Sequence, residues 1–274
     1  MMNFIKTDLN LKDWIKVRGS ADGSQSFLTW SGSIYGIVPG EPTKHLFQIL
    51  GMSVARFISN PDETWDFTSR EISLYLDPMT GTRLNHWQNP WTGEILPVVH
   101  VANNPVQANF NLTKRFPGIV AGDLTTFLIN LFPQYPNPLA KDAKFAPYSP
   151  QAIYQSTELF KLTVSTADME NTELISIPNV MLAWDRIGPW LPWMKMGDRP
   201  GYLIYSAWGK KVPIFNNLPQ LLQDEITTRV PLYQNAPMKK LAQDNCTSWK
   251  YFDQHFDAYL RQEIFPIFEL DSPE

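Results

Sequence analysis

The chain has 274 residues, with 23 Lys+Arg against 27 Asp+Glu, a formal net charge of −4. That balance lacks the basic stripe that general nucleic-acid binding requires, and no apolar run reaches the ~18 residues of a membrane-spanning helix. The single Cys246 excludes an internal disulfide and any cysteine-built metal cluster, and the opening Met1–Asp8, without an apolar leader core, points to a cytoplasmic chain or a mature one.

The 23 prolines are about twice the usual share and favour short strands and ordered loops over long helices. From the N-terminus, Trp14–Arg18 reads as a short strand, followed by the turn Ser20–Ser24. Residues 26–38 alternate, with Leu28, Trp30, Ile34 and Val38 on one face and Thr29, Ser31, Ser33 and Tyr35 on the other. Residues 45–58 and Trp65–Leu76 are two further strands. In the second, Ile72, Leu74 and Leu76 oppose Glu71, Ser73 and Tyr75. Asp77-Pro78 with Gly81, and Asn89-Pro90 with Gly93, mark two successive hairpins.

The middle is less regular. Asp123 is placed to cap a helix through Leu131, with Leu124, Phe127, Leu128 and Leu131 at helical spacing. The proline-rich stretch 133–150 reads as a long ordered loop, of the kind that forms a lid or an active-site wall. Strands resume at Leu159–Thr166, Leu174–Ile187 and Tyr202–Trp208. Helices follow from Asn217 to about Arg229 and from Thr247 or Ser248, with Trp249, Phe252, Phe256 and Leu260 near one face. The pattern predicts a mainly β chain: a single antiparallel meander barrel, lipocalin-like, spanning residues 1–274 as one domain. Two or three peripheral helices lie over about 216–262, with the last packed on the barrel. A two-sheet sandwich is the alternative.

Four histidines are present, none in a metal-binding spacing. His100 stands in the apolar run Leu96–Ala102, as a structural imidazole or a general acid or base. Arg186 shares parity with Trp184, Leu182 and Val180, the inward set. A buried Arg186 needs a carboxylate, for which Glu71 and Glu94 are candidates, as a structural ion pair or a substrate clamp. The stretch Trp184–Gly197 holds three Trp, two Pro and two Met, fit for a plug at a barrel end or a rigid wall for an apolar ligand. No nucleophile elbow or phosphate loop is present.

Several segments together carry a family resemblance: Arg18-Gly19-Ser20 with Asp22-Gly23, Trp30-Ser31-Gly32, Tyr75-Leu76-Asp77-Pro78, Asn89-Pro90 with Thr92-Gly93-Glu94, His100-Val101 with Asn104-Pro105, and Trp190–Gly197. Over most of its length the chain resembles an uncharacterised bacterial and fungal family known only as a domain of unknown function, number eighteen-thirty-eight. The resemblance implies a single β-rich domain and brings no reaction or catalytic residue with it.

The expectation is therefore an enzyme of the lyase or isomerase type, also covering cyclases and dehydratases. It would act on a small hydrophobic or aromatic metabolite by acid–base chemistry, with no cofactor and no metal. His100 would be the base or acid, Arg186 and Glu71 would orient or pair, and Tyr35 would donate from its hydroxyl. Trp30, Trp184, Trp190, Trp193 and Asn103 would line the pocket. The rival is a non-catalytic lipocalin-like carrier of an apolar molecule. A third reading is an interaction module built on Tyr251, His255 and Tyr259, and a homodimer through that helix stays open. No nucleic-acid partner and no integral membrane association are expected.

Overall fold

A computed structural model describes residues 4–268; Met1–Asn3 of the opening segment and residues 269–274 lie outside the described residues. The chain runs through β1 (Phe4–Asn10), α1 (Leu11–Arg18), β2 (Ser26–Ile37), β3 (Lys44–Ser59), β4 (Thr64–Leu76), β5 (His86–Gln88), β6 (Ile95–Pro97) and β7 (Val101–Asn111). It continues through β8 (Arg115–Ala121), β9 (Leu124–Leu131), β10 (Gln134–Pro136), β11 (Ile153–Gln155), β12 (Thr157–Ser165), α2 (Thr166–Glu170), β13 (Met181–Gly188) and β14 (Tyr202–Val212). The last elements are α3 (Gln220–Arg229), α4 (Ser248–Gln254) and α5 (Phe256–Leu260). Among the described residues no helix is long and apolar enough to cross a membrane.

Ten strands form one antiparallel sheet in the order β1-β8-β9-β12-β13-β14-β2-β3-β4-β7. The chain is mainly β, as its alternation predicts, and the sheet curls into a half-barrel. Its two edges are β1 and β7, which a closed barrel would have paired. Strands β5 with β6 and β10 with β11 are separate two-stranded hairpins.

Several local sequence expectations are overturned, among them the strand reading of 174–180, which precede β13, and the cap at Asn217, since Pro219 precedes the first turn of α3. Trp14–Arg18 is the second half of α1, not a strand. Asn10 accepts the Asp13 N–H at 3.0 Å and the Asp13 carboxylate accepts the Asn10 N–H at 3.3 Å, a reciprocal cap that starts the helix. Leu11, Trp14, Ile15 and Arg18 then fall on one buried helical face. Leu124–Leu131 is strand β9, not a helix. Gly122, at φ +63°, and Asp123 form the two-residue turn that folds β8 back on β9, with Ala121 opposite Leu124. The turn residues decide here, because Leu and Phe spacing over eight residues fits either period. Finally, the C-terminal helix breaks at His255, and Leu260 is exposed while Tyr259 is buried.

The curled sheet buries apolar side chains on both faces. Ile72 and Leu74 belong to a large cluster shared with Phe47, Trp193, Leu222, Phe252 and Tyr233. On the concave side α1 sets Trp14 and Ile15 against Phe116, Phe127 and Leu162. Lys211 ties the end of α1 to the sheet, its ammonium donating to the carbonyls of Lys16 and Gly19 and to Ser176 Oγ at 2.6–2.9 Å.

Candidate active site

The concave face of the half-barrel encloses a cavity of about 540 Å³, within the range of small-molecule sites. Alternation decides what each strand contributes: Leu28 and Trp30 from β2, Ile49 and Ser53 from β3, Glu71, Ser73 and Tyr75 from β4, Val101 and Asn103 from β7. Strands β12, β13 and β14 supply Glu158, Phe160, Trp184, Arg186 and Tyr205 on the opposite wall. Trp14 and Arg18 come from α1, and the segment Asn245–Trp249 covers another side. The lining is largely apolar and aromatic. Trp30 meets Trp184 edge-on at 6.0 Å, and Phe160 stacks on Trp184 at 5.9 Å. Gly51 makes room for the Trp30 indole, since a Cβ there would lie 2.5 Å from Trp30 Nε1 and 2.4 Å from Ser73 Oγ.

Two polar groups interrupt this wall. In the first, cross-strand register sets Leu28, Ser53, Glu71 and Asn103 in one row. Arg18 reaches up from the last turn of α1 and donates from Nη2 to Ser53 Oγ at 2.8 Å. Glu71 is deep in the molecule yet only half-buried, because the cavity itself exposes it. Burial pushes its carboxyl up to about 7 and the Glu158 charge adds to this, outweighing Arg18 and the Asn103 side chain beside it. Burial likewise pulls the Arg18 guanidinium down to about 10 against the attraction of Glu71.

The second group is a row of Glu158, Arg186 and Tyr205 on adjacent strands. Arg186 lies 3.7 Å from Glu158, donates from Nη2 to the Tyr154 hydroxyl at 3.0 Å and sits 4.9 Å above the Tyr205 ring. Gly188 is its seat, because a Cβ there would fall 2.7–2.8 Å from the guanidinium. Burial opposes the cation, but Tyr205, Tyr154 and Glu158 outweigh it and raise its pKa. The Tyr75 hydroxyl abuts that of Tyr205, and burial keeps both phenols above their ordinary value and therefore protonated. Among the lining residues, Arg18 Nη1, Trp30 Nε1, Asn103 Oδ1, Trp184 Nε1 and Arg186 Nη1 are buried with no protein hydrogen-bond partner. Among the described residues no cluster of three or more His, Cys, Asp or Glu is placed to hold a metal ion.

Of the residues singled out from sequence, the cavity gathers Glu71, Arg186, Trp30, Trp184 and Asn103. It does not gather His100, Tyr35, Trp190 or Trp193. His100 precedes lumen-facing Val101 and so points to the other side, fully buried, where its Nδ1 accepts the Tyr75 N–H at 3.0 Å. Burial, with Arg83 and Arg229 nearby, holds its pKa well below the ordinary imidazole value, so it is neutral. His100→Ala should therefore cost about 2–3 kcal/mol of stability, read by denaturant unfolding, because a buried N–H loses its acceptor. Ligand affinity in the cavity should stay unchanged in that variant.

Tyr35 is on the outer face, its ring 5.0 Å from that of His45. Trp190 packs on Trp91, and Trp193 is wedged among Phe47, Tyr75 and Trp87 at 5.5–5.8 Å, so the Trp190–Met194 part of the Trp-rich stretch is core, and of that part only Leu191 reaches the lining. The partner of Arg186 is Glu158, not Glu71 or Glu94; Glu94 pairs with Lys195 at 2.6 Å. Sequence reasoning missed Arg18, Glu158, Tyr154 and Tyr205. Glu158 was accessible by parity with Phe160 and Leu162, and Arg18 through the Asn10–Asp13 cap.

A family model described as "Protein of unknown function (DUF1838)" matches residues 23–256. No curated protein matches. Among solved structures, the crystal structure of Rv2717c from M. tuberculosis is 8% identical, covering 65% of this chain and 89% of that chain at a TM-score of 0.20, a likeness too slight to bear on fold or function.

Proposed function

The chain belongs to the DUF1838 family, whose function is unknown, and from that premise we propose that the half-barrel cavity binds a small, mainly apolar or aromatic molecule and acts on it by acid–base chemistry. The observation that carries this reading is Glu71, a carboxyl without a close counter-ion, facing an aromatic cavity from the middle of a rigid sheet. A group poised near neutral pH is present in both protonation states and can take up and return a proton, as isomerases, cyclases, dehydratases and lyases require. Asn103 and Ser53 flank it in the same row and orient a substrate polar group. The Tyr75–Tyr205 pair, protonated and backed by Arg186, supplies a hydroxyl donor on the facing wall. Glu71 thus takes the role of acid or base expected of His100.

The test is a screen of apolar and aromatic compounds for thermal stabilisation of the chain, followed by incubation of each binder in D2O. Acid–base chemistry at carbon leaves deuterium in the recovered compound, or converts it. Glu71→Gln should bind the compound but neither exchange nor convert it. Binders that the wild-type chain leaves undeuterated and unchanged would make the cavity that of a carrier and end the enzyme reading.

A further inference from the structure

Arg18 is a buried cation with no ion pair. It is 6% exposed, no described carboxylate lies within ion-pair distance of it, and of its terminal nitrogens only Nη2 has a protein partner, the neutral Ser53 Oγ. An unpaired charge in a water-poor wall is costly, and a structure that retains one has a use for it. The contrast lies across the cavity, where Arg186 has Glu158 at 3.7 Å. The surroundings sharpen the imbalance. The Lys211 ammonium lies near enough to Arg18 to feel its charge, so a second cation repels the guanidinium here instead of pairing with it. Around them the wall is apolar: Trp14, Leu28, Phe67 and Val106. The Arg18 guanidinium lies 5.5 Å above the Phe67 ring, which holds it flat against the wall.

We propose that Arg18 receives a carboxylate of the bound molecule, so that the ligands of this cavity are apolar or aromatic carboxylic acids. This rests on the reading of the cavity as a small-molecule site and adds the chemical class of its occupant. The Arg18 guanidinium donates to the carboxylate, with Ser53 and the Asn103 side chain at its flanks. The apolar body then extends along β4 past Ser73 towards Tyr75, over about 13 Å of strand between residues 71 and 75. Glu71 lies beside the bound anion and must be in its neutral form to tolerate it. The charged groups that face Glu71 are Arg18 from α1 and Glu158 from β12, so an added anion favours protonation there.

The experiment compares two fluorescent probes of the same shape, 1-pyrenebutyrate and 1-pyrenebutanol, titrated into the full chain at pH 6 and pH 8.5. The acid should bind at least tenfold more tightly than the alcohol at pH 6, and its advantage should shrink at pH 8.5. Arg18→Met should bring the acid to within about twofold of the alcohol, with alcohol affinity unchanged, which also shows that the variant is folded. Arg18→Lys should retain part of the preference. Equal affinity of the two probes for the wild-type chain overturns the inference alone, with no need of a variant. A preference that survives in folded Arg18→Met overturns it as well. Failure of both probes to bind the wild-type chain overturns the cavity reading and this inference with it.

Discussion

Glu71→Gln should remain stable where the wild-type chain weakens. The folded-state carboxyl titrates near 7, against 4.5 for the free side chain. Between those values the folded chain binds a proton that the unfolded chain has released, so stability falls as pH rises through this window. The stabilisation tied to protonation is complete below about pH 4.5 and lost above pH 7. A shift of this size corresponds to about 2–3 kcal/mol after allowance for water reaching the cavity face of Glu71. The glutamine keeps the shape and removes the charge, so its unfolding free energy should exceed that of the wild-type chain by this amount at pH 8 and by under about 1 kcal/mol near pH 5. Urea unfolding at the two pH values measures the difference. A wild-type chain as stable at pH 8 as at pH 5, relative to the variant, would remove Glu71 as a group poised near neutrality. Glu158→Gln supplies a second check. It takes away the neighbouring like charge, so the stability loss assigned to Glu71 should move to lower pH and shrink.

Much of the sheet was legible because its strands state their period plainly. Residues 26–38 and Trp65–Leu76 alternate, the apolar run 45–58 reads as a strand from its β-branched Val54 and Ile58, and the observed strands β2, β3 and β4 follow these bounds closely. Short elements were not legible in the same way. Leu124–Leu131 satisfies a helical and a strand pattern equally, and only the Gly122-Asp123 turn separates the two. Trp14–Arg18 lacks its meaning until Asn10 and Asp13 are read as a cap. Closure was beyond reach, because whether β1 meets β7 depends on curvature summed over ten strands.

The candidate site divides along the same line. Parity put Glu71, Ser73 and Tyr75 on one face of β4, and Arg186 with Trp184 on one face of β13, and the cavity gathers these residues. Parity also separates His100 from Asn103, which cannot share a face on one strand. Trp190 and Trp193 show another limit. A cluster of large apolar residues marks burial, but whether the burial is against a ligand or against Phe47 and Trp87 depends on long-range packing. Arg18 belongs to neither strand pattern and enters the cavity from a helix, which no periodicity of the sheet could announce.

Arg186→Met should destabilise the chain by about 2–3 kcal/mol, somewhat under the 3–5 typical of a broken, fully buried ion pair. The discount follows from the partner, since Glu158 retains some access to the cavity and its oxygen lies 3.7 Å away rather than in a tight fork. The loss arises from what stays behind. Tyr154 keeps a partner, because its hydroxyl also donates to Ser156 Oγ at 3.0 Å. Glu158 keeps none of comparable charge and faces Glu71 across the lumen with nothing to offset it. Adding Glu158→Gln to Arg186→Met should therefore recover a large part of the loss, and the cycle of four proteins should give a coupling of about 1–3 kcal/mol. Additivity of the two substitutions would mean that Arg186 acts through its packing on Tyr205 instead. Gly188→Val separates these contributions, because it retains the arginine yet drives the guanidinium off its seat. If the ion pair dominates, that variant should fall between the wild-type chain and Arg186→Met, and Glu158→Gln should relieve it too.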